Sequence, residues 1–533
     1  MRPIRILLLG FVLGAIFQGT AWAVATPQGF QLGSPPVTPL IPTTTSISQH
    51  GITWTFADPV EYGQFVNGDY WVVDSGNGVN IIGISPGYIN TPRVLNGSML
   101  NPSTVLQGYD NAIDFRYDIT KNVGIGISPS TPLVLSGNVS LVSTISNVEL
   151  PANTNTSYVN TAAVLTCLTS VPAAGSFRPG VSGTTKTLHN INSLNLALLK
   201  KLAVPSGQTI TSATLSTYAG YFQRVFLDHD QSYLARYMHQ SSNGMDNYYF
   251  SKTFAEAALL LHLNFTDGEK HDLLVNFIQI GIDLYSWIES GGTGWVPDGG
   301  NGNGRKWPIL FAGIMLDYAP MKNIGQVSGD YINTGSFNAN GTITAPLDYK
   351  HFGEDGQTFY INQYIVDITS NSPWTSDSQR YTNGYLSFDM NTKTFTRAVP
   401  PQGATIGPWN PDTRNEDIGE NVLCRPYTSA MVGMPEFGIK YAALPRESDS
   451  SWTSNYRSIG TGAQAWSGFV LAARIMDMKG LWNHNALFDY VDRYMEISAG
   501  RPDPFGYVVS GESAGYRPNG ILGAMWDTYR YLY

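Results

Sequence analysis

The chain has 533 residues and a formal net charge of −9, from 31 basic and 40 acidic side chains. Only 13% of residues are charged and no Lys/Arg-rich stretch occurs, which excludes a nucleic-acid-binding footprint. Gly, Asn, Ser, Thr and aromatic residues are plentiful instead, a balance that suits extracellular carbohydrate handling.

At the N-terminus Arg2 and Arg5 precede an apolar run, Ile6 to Phe17, and then Ala21-Trp22-Ala23. A positive start, a short apolar core and small residues at the cleavage positions describe an export signal. The run is too short for a membrane anchor, which needs roughly 20 apolar residues. The expected protein is therefore secreted or periplasmic, cleaved after Ala23, with its charge moved from −9 to −11 by loss of the two arginines. No later segment is apolar enough to span a bilayer. Export permits a disulfide between Cys167 and Cys424, and two buried thiols fit equally well. Their spacing excludes a zinc ribbon or CxxC motif.

From residue 24 to about 187, short β-prone runs alternate with turn signals. Ile52 to Phe56, Tyr70 to Val73, Val79 to Ile82 and Val139 to Val142 are the clearest, with Asn67-Gly68 and Asn77-Gly78 as turn dipeptides. An all-β, sandwich-like domain is expected here. From 188 to 533 the pattern turns helical. Leu274, Phe277, Ile278, Gly281, Leu284, Tyr285 and Ile288 recur at three- and four-residue steps. Thr253 to Leu263, Ile309 to Tyr318, Gly462 to Met478, Asn485 to Ile497 and Trp526 to Tyr533 are further helices, with Pro308 in the first turn of the second. Helices in series joined by glycine-rich loops suggest an incomplete (α/α) toroid. Residues 325 to 425 interrupt it with a loop- and strand-rich insert, including Thr358 to Ile361, which is too long to be idle. The chain is thus expected to be multidomain.

Four clusters can carry chemistry. The first is the glycine loop from Gly291 to Gly304, leading into Arg305-Lys306-Trp307-Pro308. Two cations at a helix N-terminus gain nothing from its dipole, so they point to a bound anion, or to pairing with an acid such as Asp298 or Asp317. The second runs from Tyr349 to Tyr360 and holds His351, Glu354, Asp355 and Tyr360, groups suited to acid–base work. The third runs from Leu234 to Phe250 and holds Arg236, His239, Tyr248 and Tyr249; just upstream, His229 between Asp228 and Asp230 reads as a solvated turn or a metal ligand. The fourth comprises Trp452 to Arg457 and Trp482 to Asn485, followed by Tyr490, Arg493 and Tyr494. In it Asn483 is a candidate N-cap, and Arg493 either braces Asp489 or Asp492 or meets substrate.

Gln279 to Tyr285, Gly304 to Leu310, Leu481 to His484 and Tyr490 to Arg493 together resemble secreted bacterial proteins. Their general architecture is similar to the (α/α)-toroid polysaccharide lyases, the group of alginate and glucuronan lyases. That resemblance implies a Tyr base and acid, often with a His, and an Asn, Arg or Glu that neutralises the uronate carboxylate. Where relatives carry His, this chain has Asn301, which fits the neutralising role. The Asn-Asn-His-Ser-Tyr motif of one alginate lyase family is absent.

In this reading the enzyme cleaves an anionic, uronate-containing polysaccharide by β-elimination. Arg305, Lys306 and Asn301 meet the carboxylate, Tyr249 or Tyr360 moves protons, and His239 or His351 supports them. Trp287, Trp295, Trp307, Trp452, Arg457, His484 and Arg493 line the substrate path. No redox cofactor is required, and a metal ion is left open. A glycoside hydrolase would instead use paired carboxylates from Glu354, Asp355, Asp298 and Glu256. A non-catalytic carbohydrate-binding envelope protein would use Trp287, Trp295 and Trp307 as exposed stacking platforms.

Overall fold

The computed structural model describes residues 41–113, 116–149, 157–229, 233–247, 249–296, 300–329, 348–363, 366, 385–389, 394–398, 428–437, 461–505 and 517–533. The export signal, Asp230, Tyr248, Asp298, Cys424, Trp452 and Arg457 lie outside these residues.

One curled sheet, a half-barrel, stands where two packed sheets were expected. Its strands are β1 (Thr43–Gln49), β2 (Ile52–Gln64), β3 (Tyr70–Val73), β4 (Val79–Ser85), β5 (Ser98–Leu100), β6 (Leu133–Leu135), β7 (Val139–Ser146) and β8 (Val159–Leu168). The order is β5-β7-β8-β3-β2-β4-β6, with β1 also on β2. All pairs are antiparallel except β3 with β8. The curl originates in β2. Its first half pairs with β1 and β4, β1 continues onto Val60 and Glu61 across a register shift, the far end (Tyr62 to Gln64) pairs with β3, and the pairing with β4 shifts at Thr55/Phe56. A strand shared in this way bends one sheet instead of dividing it into two. The turn dipeptides hold the expected places: Gly68 and Gly78 have φ of +87° and +75°.

Strands β7 and β8 are buried along nearly their whole length. Ala163, Leu165 and Cys167 face a core with Trp54, Phe56, Val72 and Ile81. Ala162 and Val164 face a second core shared with Val225, Leu227, Ala235 and Met238. Two covered faces explain why β8 reads as a continuous apolar run with no alternation. Cys167 sits in the first core, and burial pushes its thiol up to about 12.

The helices are α1 (Ser212–Tyr221), α2 (Phe250–Leu260), α3 (Asp267–Glu289), α4 (Lys306–Met315), α5 (Ala319–Lys322) and α6 (Ile324–Val327). Then come α7 (Gly353–Gln357), the short strands β9 (Thr358–Tyr360), β10 (Tyr385–Asp389), β11 (Thr394–Ala398) and β12 (Pro435–Phe437), and helices α8 (Ala463–Ile475), α9 (Lys479–Trp482), α10 (Asn485–Ser498) and α11 (Gly520–Tyr529). A capping box starts α3 seven residues before its apolar stripe: Glu269 N–H donates to Thr266 Oγ1 (3.2 Å) and Thr266 N–H to Glu269 Oε2 (2.8 Å). Pro308 lies in the first turn of α4, where its missing N–H costs nothing. At Gly281 the backbones of α3 and α4 touch, since a Cβ there would lie 2.2 Å from the Pro308 carbonyl oxygen. Phe277, Ile278, Leu310, Phe311, Trp466, Phe469, Tyr490 and Met525 share one core with these helices, each fully buried apolar side chain contributing about 1.5–3 kcal/mol. Asn483 does not cap α10. It takes a left-handed conformation (φ 60°) that closes α9, and His484 holds the N-cap position. No helix among the described residues is long and apolar enough to cross a membrane.

Candidate functional site

Two of the sequence clusters meet. Gly294 and His351 form a parallel bridge, with Trp295 N–H donating to the His351 carbonyl (2.7 Å) and His351 N–H to that of Thr293 (2.9 Å). Further on, Gly353 N–H donates to the Gly302 carbonyl (3.0 Å). The glycine loop is therefore pinned along the segment that carries His351, Glu354 and Asp355. Gly304 (φ +88°) turns the loop into α4 where a Cβ would press on Ser251 at 2.9 Å, so the position demands glycine.

Arg305 and Lys306 are buried and paired, so they do not face a ligand as expected. Arg305 Nε donates to Asp228 Oδ2 (2.7 Å) and Nη2 to Oδ1 (3.2 Å), a fork on one carboxylate. Its Nη1 donates to the carbonyls of Asn303 (2.8 Å) and Asn301, and the guanidinium lies 4.2 Å over the Phe250 ring. Burial raises the Asp228 pKa, but the charge and hydrogen bonds of Arg305 and His239 together outweigh it and hold the carboxyl at about 2. Lys306 Nζ pairs with Asp355 Oδ2 between the rings of Phe352 and Trp482, and Trp482 Nε1 donates to Asp355 Oδ1 (2.7 Å). The acids facing them among the described residues are Asp228 and Asp355; Asp317, which the sequence also offered, pairs instead with Lys322, and Asp298 lies outside the described residues. The turn at Asp228-His229, expected to be solvated, is buried at 4% and 3% exposure.

Glu354 differs from these paired acids. It is fully buried in the first turn of α7. Its Oε2 accepts from Gly304 N–H (3.0 Å), while Oε1 has no hydrogen-bond partner. Burial, then the neighbouring Asp355 charge, raise its pKa to about 7 against the pull of its own backbone N–H, of Gly304 N–H and of Lys306. Ser251 Oγ and Thr461 Oγ1, both against the same glycine loop, are also buried without partners. Asn303 Nδ2 anchors the loop to the Thr461 carbonyl (2.6 Å).

The other candidates take varied places. His239 is buried, stacked on Phe226 (centroids 4.0 Å apart), with Nε2 3.7 Å from Asp228 Oδ1; burial lowers its pKa. Asn301 is half-buried on the loop. Tyr249 is half-buried at the N-cap of α2, beside the Phe250 that carries Arg305. Tyr360 donates its hydroxyl to Asp489 Oδ2 (2.5 Å). His484 Nε2 is within 2.9 Å of Thr358 Oγ1 and 3.0 Å of the Thr358 carbonyl oxygen, tying α10 to β9. Arg493 braces Asp503 (2.9 Å) and Glu436 (3.4 Å), while Asp492 is held by Arg474 and Arg530.

Trp287, Trp295 and Trp307 are core residues, at 4%, 1% and 0% exposure, so the expected exposed stacking platforms are absent at these three positions. Trp295 donates Nε1 to the Asp228 carbonyl (3.2 Å), and Trp307 stacks on Trp482 at 6.2 Å with planes 14° apart. These rings build the walls behind the loop. Sequence reasoning missed Asp228, Asn303, Thr461 and Trp482 as parts of this cluster. Only Asp228, an acid directly after the apolar run Val225 to Leu227, carried a local signal. Among the described residues no group of three or more His, Cys, Asp or Glu side chains could hold a metal ion.

In comparisons with known proteins, no family model, curated protein or solved structure matches the chain.

Proposed function

We propose that the chain is a secreted or periplasmic polysaccharide-degrading enzyme whose site lies where the glycine loop meets α7, and that it cleaves a uronate-containing polysaccharide by β-elimination. The observation carrying this reading is Glu354, a buried carboxyl whose pKa of about 7 keeps a proton available near neutral pH, with one oxygen unpaired.

Elimination abstracts the proton α to the uronate carboxylate, and that proton is acidic only once the carboxylate charge is met. With Arg305 and Lys306 committed to Asp228 and Asp355, the neutralising role passes to protonated Glu354 and to Asn301. A neutral carboxyl donates a hydrogen bond to an anion, which an ionised one cannot do. Tyr249 is the proposed base and acid, with His351 in support. The helical region is read as an incomplete toroid.

A hydrolase is the second reading, favoured by the same proton on Glu354, which could serve a leaving oxygen. Its pairing with Asp355 is weakened because Lys306 and Trp482 already occupy both Asp355 oxygens. The test mixes the mature chain with alginates, glucuronan, pectate, glycosaminoglycans and neutral glucans while ultraviolet absorbance and reducing ends are followed. New absorbance from an unsaturated uronate supports elimination. New reducing ends without absorbance support hydrolysis. Neither signal on any uronate or neutral polymer rejects the enzymatic reading.

A further inference from the structure

Between the half-barrel and α3 lies a small cavity of about 10 Å³, lined by Pro102, Val181, Phe226, His229, Asp283 and Trp287 among others. Two polar atoms of its lining side chains are buried without a partner: His229 Nε2 and Trp287 Nε1. Both side chains are more than nine-tenths buried, at 3% and 4% exposure.

The protonation of the two rings fixes what the cavity accepts. His229 Nδ1 is 2.6 Å from the Thr104 carbonyl oxygen, which can only accept, so Nδ1 carries the hydrogen. Burial lowers the His229 pKa, so the ring stays neutral and Nε2 presents a lone pair. Trp287 Nε1–H can only donate. The two rings face the same cavity with their centroids 6.3 Å apart. A cation would face the indole N–H. An anion would face the imidazole lone pair; Asp228 and Asp283 also line the cavity, with their carboxylates held by Arg305 and Arg178. The volume admits one oxygen-sized molecule, near the roughly 10–15 Å³ that a single water requires.

We propose that this cavity is a binding site for one internal water, which accepts from Trp287 Nε1 and donates to His229 Nε2. The water ties the segment 226–229 to α3. Asp228 on that segment holds Arg305, so the water is part of the frame behind the glycine loop. The site stands independently of the proposed enzymatic activity.

A crystal structure of the mature chain, at a resolution that orders internal waters, is the first test. One peak within hydrogen-bond distance of both nitrogens is expected. A dry cavity, a direct His229–Trp287 contact, or a peak with metal or anion scattering overturns the proposal. In solution, deuteron relaxation dispersion counts long-lived internal waters. Trp287→Phe keeps an aromatic ring but removes the donor, and should lower that count by one while far-ultraviolet circular dichroism stays unchanged. An unchanged count in a folded variant also overturns it. Should the variant not fold, the wild-type crystal structure still decides.

Discussion

Two buried ion clusters, one at the seam and one behind the glycine loop, use the same parts to different ends. At the seam Arg178 bonds Asp69 through Nε (2.5 Å) and Asp283 through Nη1 (2.8 Å) and Nη2 (2.6 Å), joining the half-barrel to α3 across 105 residues of sequence. No side-chain atom of these three residues is left without a partner. Behind the loop, Arg305 and Lys306 are equally well paired, yet Glu354 beside them keeps an unpaired oxygen and a proton near neutral pH. Buried charge alone therefore marks structure. The acid left incompletely satisfied next to it marks the place where chemistry is proposed.

The contrast can be broken by mutation, and Arg178→Met should do most damage. It strands two buried carboxylates, so a loss of about 3–5 kcal/mol is expected in urea unfolding. A loss below about 1 kcal/mol would show that the seam does not depend on this cluster. Arg305→Ala should follow, at about 3 kcal/mol, because Asp228 is stranded and two loop carbonyls lose their donor. An Arg305→Ala protein as stable as the wild type but inactive would return Arg305 to the substrate.

Glu354→Gln sharpens the comparison through pH. The folded-state pKa is raised from 4.5 to about 7, so the stability tied to this group is full below 4.5 and lost as pH rises through 7. Removing the titration should change the stability difference between variant and wild type by about 1.4 kcal/mol per pH unit inside that window. A parallel pair of stability–pH curves would reject the shifted acid. His262 works in the opposite sense. Burial and then Lys270 and Lys200 lower its pKa from 6.5 to about 3, so its contribution is full above 6.5 and lost as pH falls toward 3. Replacing it with Gln should flatten the acid limb of the curve. The smallest effect on stability belongs to Tyr249→Phe, expected within about 0.5 kcal/mol while turnover of a responsive uronate polymer is lost. Retained turnover would move the proton transfer elsewhere.

Much of this frame was legible in the sequence because it is local. The 3.6-residue stripe of α3, the apolar α2 and the Asn-Gly turns flanking β3 are each set by neighbours a few residues away. The meeting of the glycine loop with the His351 to Asp355 segment was not legible, though each was flagged. The partners of Arg305 and Lys306 lie 77 and 49 residues distant, and nothing in either segment encodes which acid will arrive. Exposure of Trp287, Trp295 and Trp307 was misread for a related reason. A tryptophan beside a glycine loop looks the same in sequence whether the loop projects outward or folds back over a core. The half-barrel escaped because β2 serves two sets of partners, a property of pairing that no period-two pattern reveals.

The parallel stack of Trp307 on Trp482 gives the protein an optical signature. Two indoles stacked 6.2 Å apart couple their electronic transitions, so the circular dichroism of the pair differs from that of the two rings held apart. One ring belongs to α4 and the other to α9, on either side of the long intervening stretch, so that coupling exists only while the two helices are docked. Its amplitude is a built-in gauge of whether the chain has closed around Lys306 and Asp355.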